Sequence, residues 1–283
     1  MLDPHLVDSL SPELQRAARW VDAHGSEVAL HSMRECARRA GLAPTSFTRL
    51  ARALGHDGFD TLKQQYQQAL AGYTGRARSL QDGARRRVDW TQRLDEAQRA
   101  NTASVAVLNQ RAALESAARA MLQARRVAFL GLRASHGLAF HLHYTYALLA
   151  SNGQLLHDQG GTLADQLDRL GPTDLLVAIS QSPYTRQTVD AVEQARGAGV
   201  PVLALTDTPH SPLARGAAHT LLFETDSPSF FHSMVGALAL AEALAAAVAV
   251  RGGRTVLAHL QQAQQRLEER RAYVERRTRK AAS

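Results

Sequence analysis

The chain has 283 residues, 45% of them apolar, which is enough for packed cores and excludes a wholly disordered polypeptide. A single cysteine, Cys36, excludes an internal disulfide and fits a reducing compartment. The formal net charge of +7 divides unevenly, as +2 over residues 1–79, +4 over 80–126, −5 over 127–250 and +6 over 251–283, so one acidic stretch lies among basic ones, a balance that favours a polyanionic partner.

The opening Met1-Leu2-Asp3-Pro4-His5 lacks the basic region and apolar run of a signal peptide, and the apolar stretch Met234–Val250 carries Glu242. A cytoplasmic protein with no membrane span is expected. Ser11-Pro12-Glu13 predicts a helix start, with serine as cap, proline in the first turn and an acid beside it. Leu14, Ala17, Ala18 and Val21 continue it at helical spacing until Gly25. Ser32 can cap a second short helix through Met33, Cys36, Ala37 and Ala40, with Gly41-Leu42-Ala43 as a tight turn. Pro44 then opens a helix whose apolar positions Phe47, Leu50, Ala51 and Leu54 form one stripe. Two short helices joined by a glycine turn make a helix-turn-helix, in which the second helix enters the major groove. Thr45, Ser46, Thr48, Arg49 and Arg52 are expected opposite that stripe, where guanidinium and hydroxyl groups suit bases and phosphates. The same spacing also fits a plain helical hairpin with a solvated face.

The stretch Leu10–Leu70 resembles the DNA-binding domain of the RpiR/MurR family of bacterial regulators. The likeness rests on Ser32-Met33-Arg34-Glu35-Cys36-Ala37, the glycine turn, and Leu54-Gly55-His56-Asp57-Gly58-Phe59. It implies a DNA-reading segment from about Met33 to Arg52, with Ser32, Arg34, Pro44, Thr45, Ser46, Thr48, Arg49 and Arg52 as contacts to double-stranded DNA. Where the family often has a capping serine, this chain has Ala43.

Residues 75–95, with Gly83 and Arg85-Arg86-Arg87, read as a linker or a solvated helix, and 96–124 as one or two helices. From Val127 short apolar runs alternate with helical stretches. Val127–Leu130, Leu155–His157, Leu175–Ile179, Val202–Thr206 and Thr220–Phe223 predict strands of a parallel sheet covered on both faces. An Ala-rich helix is expected over Ser229–Val250, followed by a basic helical tail.

Two strand exits carry hydroxyls: Gly131-Leu132-Arg133-Ala134-Ser135 and Ser180-Gln181-Ser182-Pro183-Tyr184-Thr185. Ligands of open α/β sheets bind at such exits, and a following helix N-terminus favours anions. A serine-rich capping turn would look alike. Together the two loops resemble those of the sugar isomerase (SIS) domain, which RpiR/MurR regulators carry after their DNA-binding domain. The likeness extends from about Arg126 to Val250, including Ala204-Leu205-Thr206-Asp207 and Ser211-Pro212-Leu213-Ala214. It implies a phosphosugar-type ligand held by Ser135, Ser180, Ser182 and Thr185. Arg133, as a charged partner for the anion, and Gln181, in the same two loops, complete the candidate set. Arg133 and Pro183 stand where the family has glycines, and proline removes one amide donor.

The expected architecture joins an all-α helix-turn-helix domain to an α/β domain. Residues 1–79 form the DNA-binding domain, 80–110 a linker helix, 111–252 a flavodoxin-like five-stranded parallel SIS domain with helices on both faces, and 253–283 a basic tail. The expected function is ligand-controlled transcription regulation by a homodimer or homotetramer, without catalysis, cofactor or metal. Glu224 and His232, flanking Asp226–Phe231, motivate a rival reading as an aldose–ketose isomerase. A sugar-phosphate-binding adaptor without DNA binding is the other alternative.

Overall fold

The structure, a computed structural model, describes Val7 and residues 10–70 and 72–274. It divides into two compact units. The first takes the chain up to Ala97 together with Asp226–His232, and the second takes Gln98–Thr225 and the chain from Ser233 onward.

The first unit is helical: α1 (Pro12–Ala23), α2 (Gly25–Leu30), α3 (Met33–Ala40), α4 (Pro44–Ala53), α5 (Phe59–Leu70) and α6 (Gly72–Arg85). Leu14, Ala18, Val21, Val28, Cys36, Phe47, Leu50 and Leu62 form its core. Phe47 is the hub, meeting Trp20 edge-on at 5.7 Å and Phe59 at 5.9 Å. Ser11 precedes α1 without making the side-chain cap its identity predicts. Ser32 does cap α3, accepting from the Glu35 amide at 3.3 Å. Gly41 closes α3 with φ +65°, a conformation that costs a glycine little, and the Leu42 amide returns to the Ala37 carbonyl at 3.0 Å. Ala43 precedes α4 with no cap, and Pro44 supplies the first turn. α6 buries no residue, so the Arg/Gly/Gln-rich stretch is a solvated helix as far as Arg85.

After α7 (Trp90–Leu108) and α8 (Arg111–Gln123), five strands alternate with helices. They are β1 (Val127–Gly131), α9 (Ser135–Leu149), β2 (Gly153–Leu155), α10 (Leu163–Leu167), β3 (Leu175–Ile179), α11 (Arg186–Gly197), β4 (Val202–Thr206) and β5 (His219–Leu222), followed by α12 (Val235–Glu269). The sheet is wholly parallel in the order β2-β1-β3-β4-β5. Alternate residues of each strand face opposite layers. Val127, Phe129, Val177 and Leu203 pack with α8, α9 and α12, while Ala128, Leu130, Leu176 and Ala204 pack with α10 and α11.

Three expectations shift. The edge strand β2 pairs at Gly153–Leu155, earlier than the apolar run Leu155–His157 suggested. Burial of Leu156 belongs to the strand's exit, where its amide bonds the Phe129 carbonyl at 2.8 Å. The last helix starts at Val235 and not at Ser229, and it continues to Glu269 with non-helical dihedrals only at Gly253. Buried Val256 and Ala263 carry its apolar stripe past Val250. α12 is long and apolar enough, by length and composition, to cross a membrane, and one of its faces, with Ala237, Leu240, Ala241, Leu244 and Val248, is buried in the sheet's core.

Polar groups fasten the edges. The Asn109 amide pairs with both Leu222 N and Leu222 O at 2.7 Å, completing the open side of β5 like a strand neighbour. Asp174, buried before β3, accepts from Arg125 at 2.6 and 2.9 Å and from the Gly171 amide at 2.9 Å, with Arg126 at 3.7 Å. Burial pushes its pKa up, but the Arg125 and Gly171 hydrogen bonds and the two guanidinium charges outweigh this, and the net shift is downward. A lowered carboxyl pKa stabilises the fold above the unfolded value, about 3.9, and that stability is lost as pH falls through the folded value. Asp174→Asn should therefore cost about 1.5–3 kcal/mol at neutral pH. Chemical denaturation should show the deficit shrinking below about pH 3.9.

Candidate functional site

The helix-turn-helix presents a polar outer face. Ser32, Arg34, Pro44, Thr45, Arg49 and Arg52 are all exposed. Among the described residues, Arg34, Arg49 and Arg52 enter no ion pair, whereas Arg38 and Arg39 both bind Glu35, and Arg39 also meets Glu27 at 3.0 Å. The Arg38 hydrogen bonds, then those of Arg39, hold the Glu35 carboxyl down at about 2. That network ties two exposed arginines to the scaffold and leaves Arg34, Arg49 and Arg52 outside it.

Ser46 departs from its expected position. It is buried, and its hydroxyl donates to Glu13 of α1. Position 46 lies four residues before Leu50 on the same helix, so it belongs to the inward stripe. Thr48 is half-buried, with Oγ1 3.0 Å from Met33 Sδ, joining α4 to α3. Both hydroxyls seat the second helix on its neighbours, and the outward face belongs to Thr45, Arg49 and Arg52.

In the second unit, the order β2-β1-β3-β4-β5 reverses direction between β1 and β3, where doubly wound sheets open a crevice beyond the strand ends. The last register pair there is Gly131 with Ile179, so the two hydroxyl-bearing loops leave the sheet side by side. Gly131 is required by close approach: a Cβ there would lie 2.4 Å from the Ser135 carbonyl oxygen. Arg133 has φ +55°, the left-handed conformation for which glycine is suited, so the side chain is carried at a modest backbone cost.

Ser135 heads α9, buried, with its Oγ 3.2 Å from Gln181 Oε1, so the two loops are linked directly. Gln181 Nε2 lies 3.3 Å from Met234 Sδ at the entry of α12. Ser180 is buried and accepts from the Thr185 amide at 3.4 Å, folding the second loop back on itself before α11. Arg133 and Ser182 are exposed, and the Ser182–Pro183 peptide is cis. The structure thus brings Ser135 to Gln181 and Ser180 to Thr185, and leaves Arg133 and Ser182 at the loop surfaces.

One further residue meets the loop. Asp207, just after β4, accepts from the Ser182 amide at 3.0 Å and from the Tyr184 hydroxyl at 2.7 Å. The motif Ala204-Leu205-Thr206-Asp207 marked the place, but no local signal coupled it to Tyr184. Among the described residues, no group of three His, Cys, Asp or Glu side chains is arranged to hold a metal. Glu224 and His232 fall in different units.

The SIS-domain family model matches residues 120–247. The HTH-type transcriptional regulator HexR of Pseudomonas aeruginosa is 26% identical over 92% of this chain and 92% of its own. The crystal structure of an RpiR transcription factor from Sphaerobacter thermophilus, of its sugar isomerase domain, is 32% identical. It covers 62% of this chain and 98% of that one, with a TM-score of 0.59. The chain belongs to the RpiR family of helix-turn-helix transcriptional regulators. This RpiR regulator also shares its fold with the Vibrio vulnificus NanR protein, solved in complex with ManNAc-6P, at 21% identity and a TM-score of 0.62 over 94% of this chain and 96% of that one. The relatives of which this chain covers two thirds or more, HexR among them, are HTH-type transcriptional regulators. The RpiR regulator is accordingly a DNA-binding regulator with an SIS domain, not an aldose–ketose isomerase.

Proposed function

We propose that the regulator reads its operator with the exposed face of α3 and α4, and that a phosphorylated sugar or related anionic metabolite bound between the β1 and β3 loops controls that affinity. Arg49 and Arg52 reach base edges or phosphates, Thr45 offers its hydroxyl and backbone amide at the α4 N-terminus to a phosphate, and Pro44, which has no amide hydrogen, packs against the DNA backbone. Ser32 and Arg34 touch the flanking backbone. The ligand's anionic group is held by the hydroxyls of Ser135, Ser180, Ser182 and Thr185, with Arg133 as the charged partner and Gln181 orienting the sugar. The observation that supports this best is the Ser135–Gln181 contact joining both loops at the strand-order reversal. The fold shared with NanR, whose complex holds a sugar phosphate, supports the ligand class.

Residues 1–79 act as the DNA-binding domain, 80–110 as the connection, 111–252 as the ligand domain and 253–283 as a basic tail. The working unit is a cytoplasmic homodimer or homotetramer, since paired recognition helices engage half-sites about 34 Å apart. Ligand favours one arrangement of the subunits, and DNA affinity follows by linkage. A thermal-shift screen with phosphorylated sugars and sugar acids should yield a stabilising ligand that also alters binding to the DNA upstream of the regulator's own gene. Stabilisation by none of them contradicts the ligand class.

A further inference from the structure

We propose that Asp207 is a positioning residue that clamps the serine loop on both sides of Pro183 and thereby sets how its hydroxyls meet the ligand. This rests on the ligand reading above. The loop needs such a device. Ser182 and Pro183 are exposed, so burial does little to fix the tip, and proline contributes no amide hydrogen there. Asp207 binds the residues before and after that proline. Its Oδ2 takes the Ser182 amide at 3.0 Å, and its Oδ1 takes the Tyr184 hydroxyl at 2.7 Å and the Thr206 hydroxyl at 3.2 Å. The carboxylate is brought there by the sheet, because β4 pairs with β3 as far as Ile179 with Leu205, and the Ser180 amide extends the contact to the Leu205 carbonyl at 3.3 Å.

The far side of the clamp is anchored as well. Tyr184 packs against the core shared by α10 and α11, and burial, then the bond to Asp207, raises its phenol pKa, so it remains a donor. One consequence concerns recognition. The Ser182 amide is committed to Asp207, so Ser182 serves a ligand through its hydroxyl alone. Two loop members, Ser182 and Tyr184, thus depend on a residue outside the serine motif.

Full-length wild-type protein, Asp207→Ala, Asp207→Asn and Tyr184→Phe would be compared in two measurements. The first is amide hydrogen exchange over residues 180–188; the second is calorimetric titration with inorganic phosphate, the group that phosphorylated ligands share. Exchange in the loop should rise in every variant. Phosphate affinity should fall about tenfold in Asp207→Ala and about threefold in Tyr184→Phe. Asp207→Asn, which keeps one acceptor oxygen, should recover part of the alanine loss, a graded rescue that general destabilisation would not give. Wild-type binding with unchanged affinity in Asp207→Ala overturns the clamp alone. A wild-type protein that binds no phosphate contradicts the ligand reading, whatever the exchange result.

Discussion

Alanine at both Arg49 and Arg52 is expected to weaken operator binding roughly 30-fold or more, from about 1–3 kcal/mol for each lost base contact. Both side chains are exposed on α4, and among the described residues neither enters an ion pair, so their removal leaves the first unit's packing intact. Circular dichroism should therefore be unchanged while fluorescence anisotropy reports the loss. The form of the loss is informative. If the arginines contact phosphates, the double variant loses affinity for all sequences and its salt dependence becomes shallower; if they read bases, discrimination between operator and random DNA shrinks. Undiminished binding by the folded variant would exclude this face of α4 from recognition.

Gly131→Ala should damage the ligand domain out of proportion to one methyl group. The added Cβ would meet the Ser135 carbonyl oxygen at 2.4 Å, its carbonyl carbon at 2.9 Å and Ala139 Cβ at 3.1 Å. Two of those atoms are backbone at the start of α9, so relief requires the helix to move. Overpacking of this kind costs about 1–3 kcal/mol. The movement also carries Ser135 away from Gln181, so ligand binding should fall further than stability does. Denaturant titration and ligand titration on the same preparation separate the two effects, and equal ligand affinity in the variant would contradict a role for the β1 exit.

Much of this arrangement was legible in the residues. β1, β3 and β4 announced themselves because strands buried beneath helices on both faces are apolar at every position, and all five residues of each are buried. Gly41 was legible because so few residues tolerate the left-handed turn that ends α3. β2 was misregistered because an edge strand is recognised by ladder pairing, and its three residues are only half-buried. Ser46 was misread because its polarity masked its place on the inward stripe, and its partner Glu13 lies 33 residues earlier. The Asp207–Tyr184 pair spans 23 residues and exists only through the parallel pairing of β3 with β4. Side-chain contacts made across elements leave no local periodicity to read.

The central claim is that occupation of the crevice at the β1 and β3 exits changes affinity for DNA. Its most direct test is operator affinity by fluorescence anisotropy, with and without the phosphorylated sugar found by screening, for wild type and for Ser180→Ala combined with Thr185→Ala. Wild type should shift by about 5-fold or more with ligand, the usual scale of allosteric coupling, while the double variant binds DNA normally and does not respond. A full ligand response retained in the double variant would contradict the account.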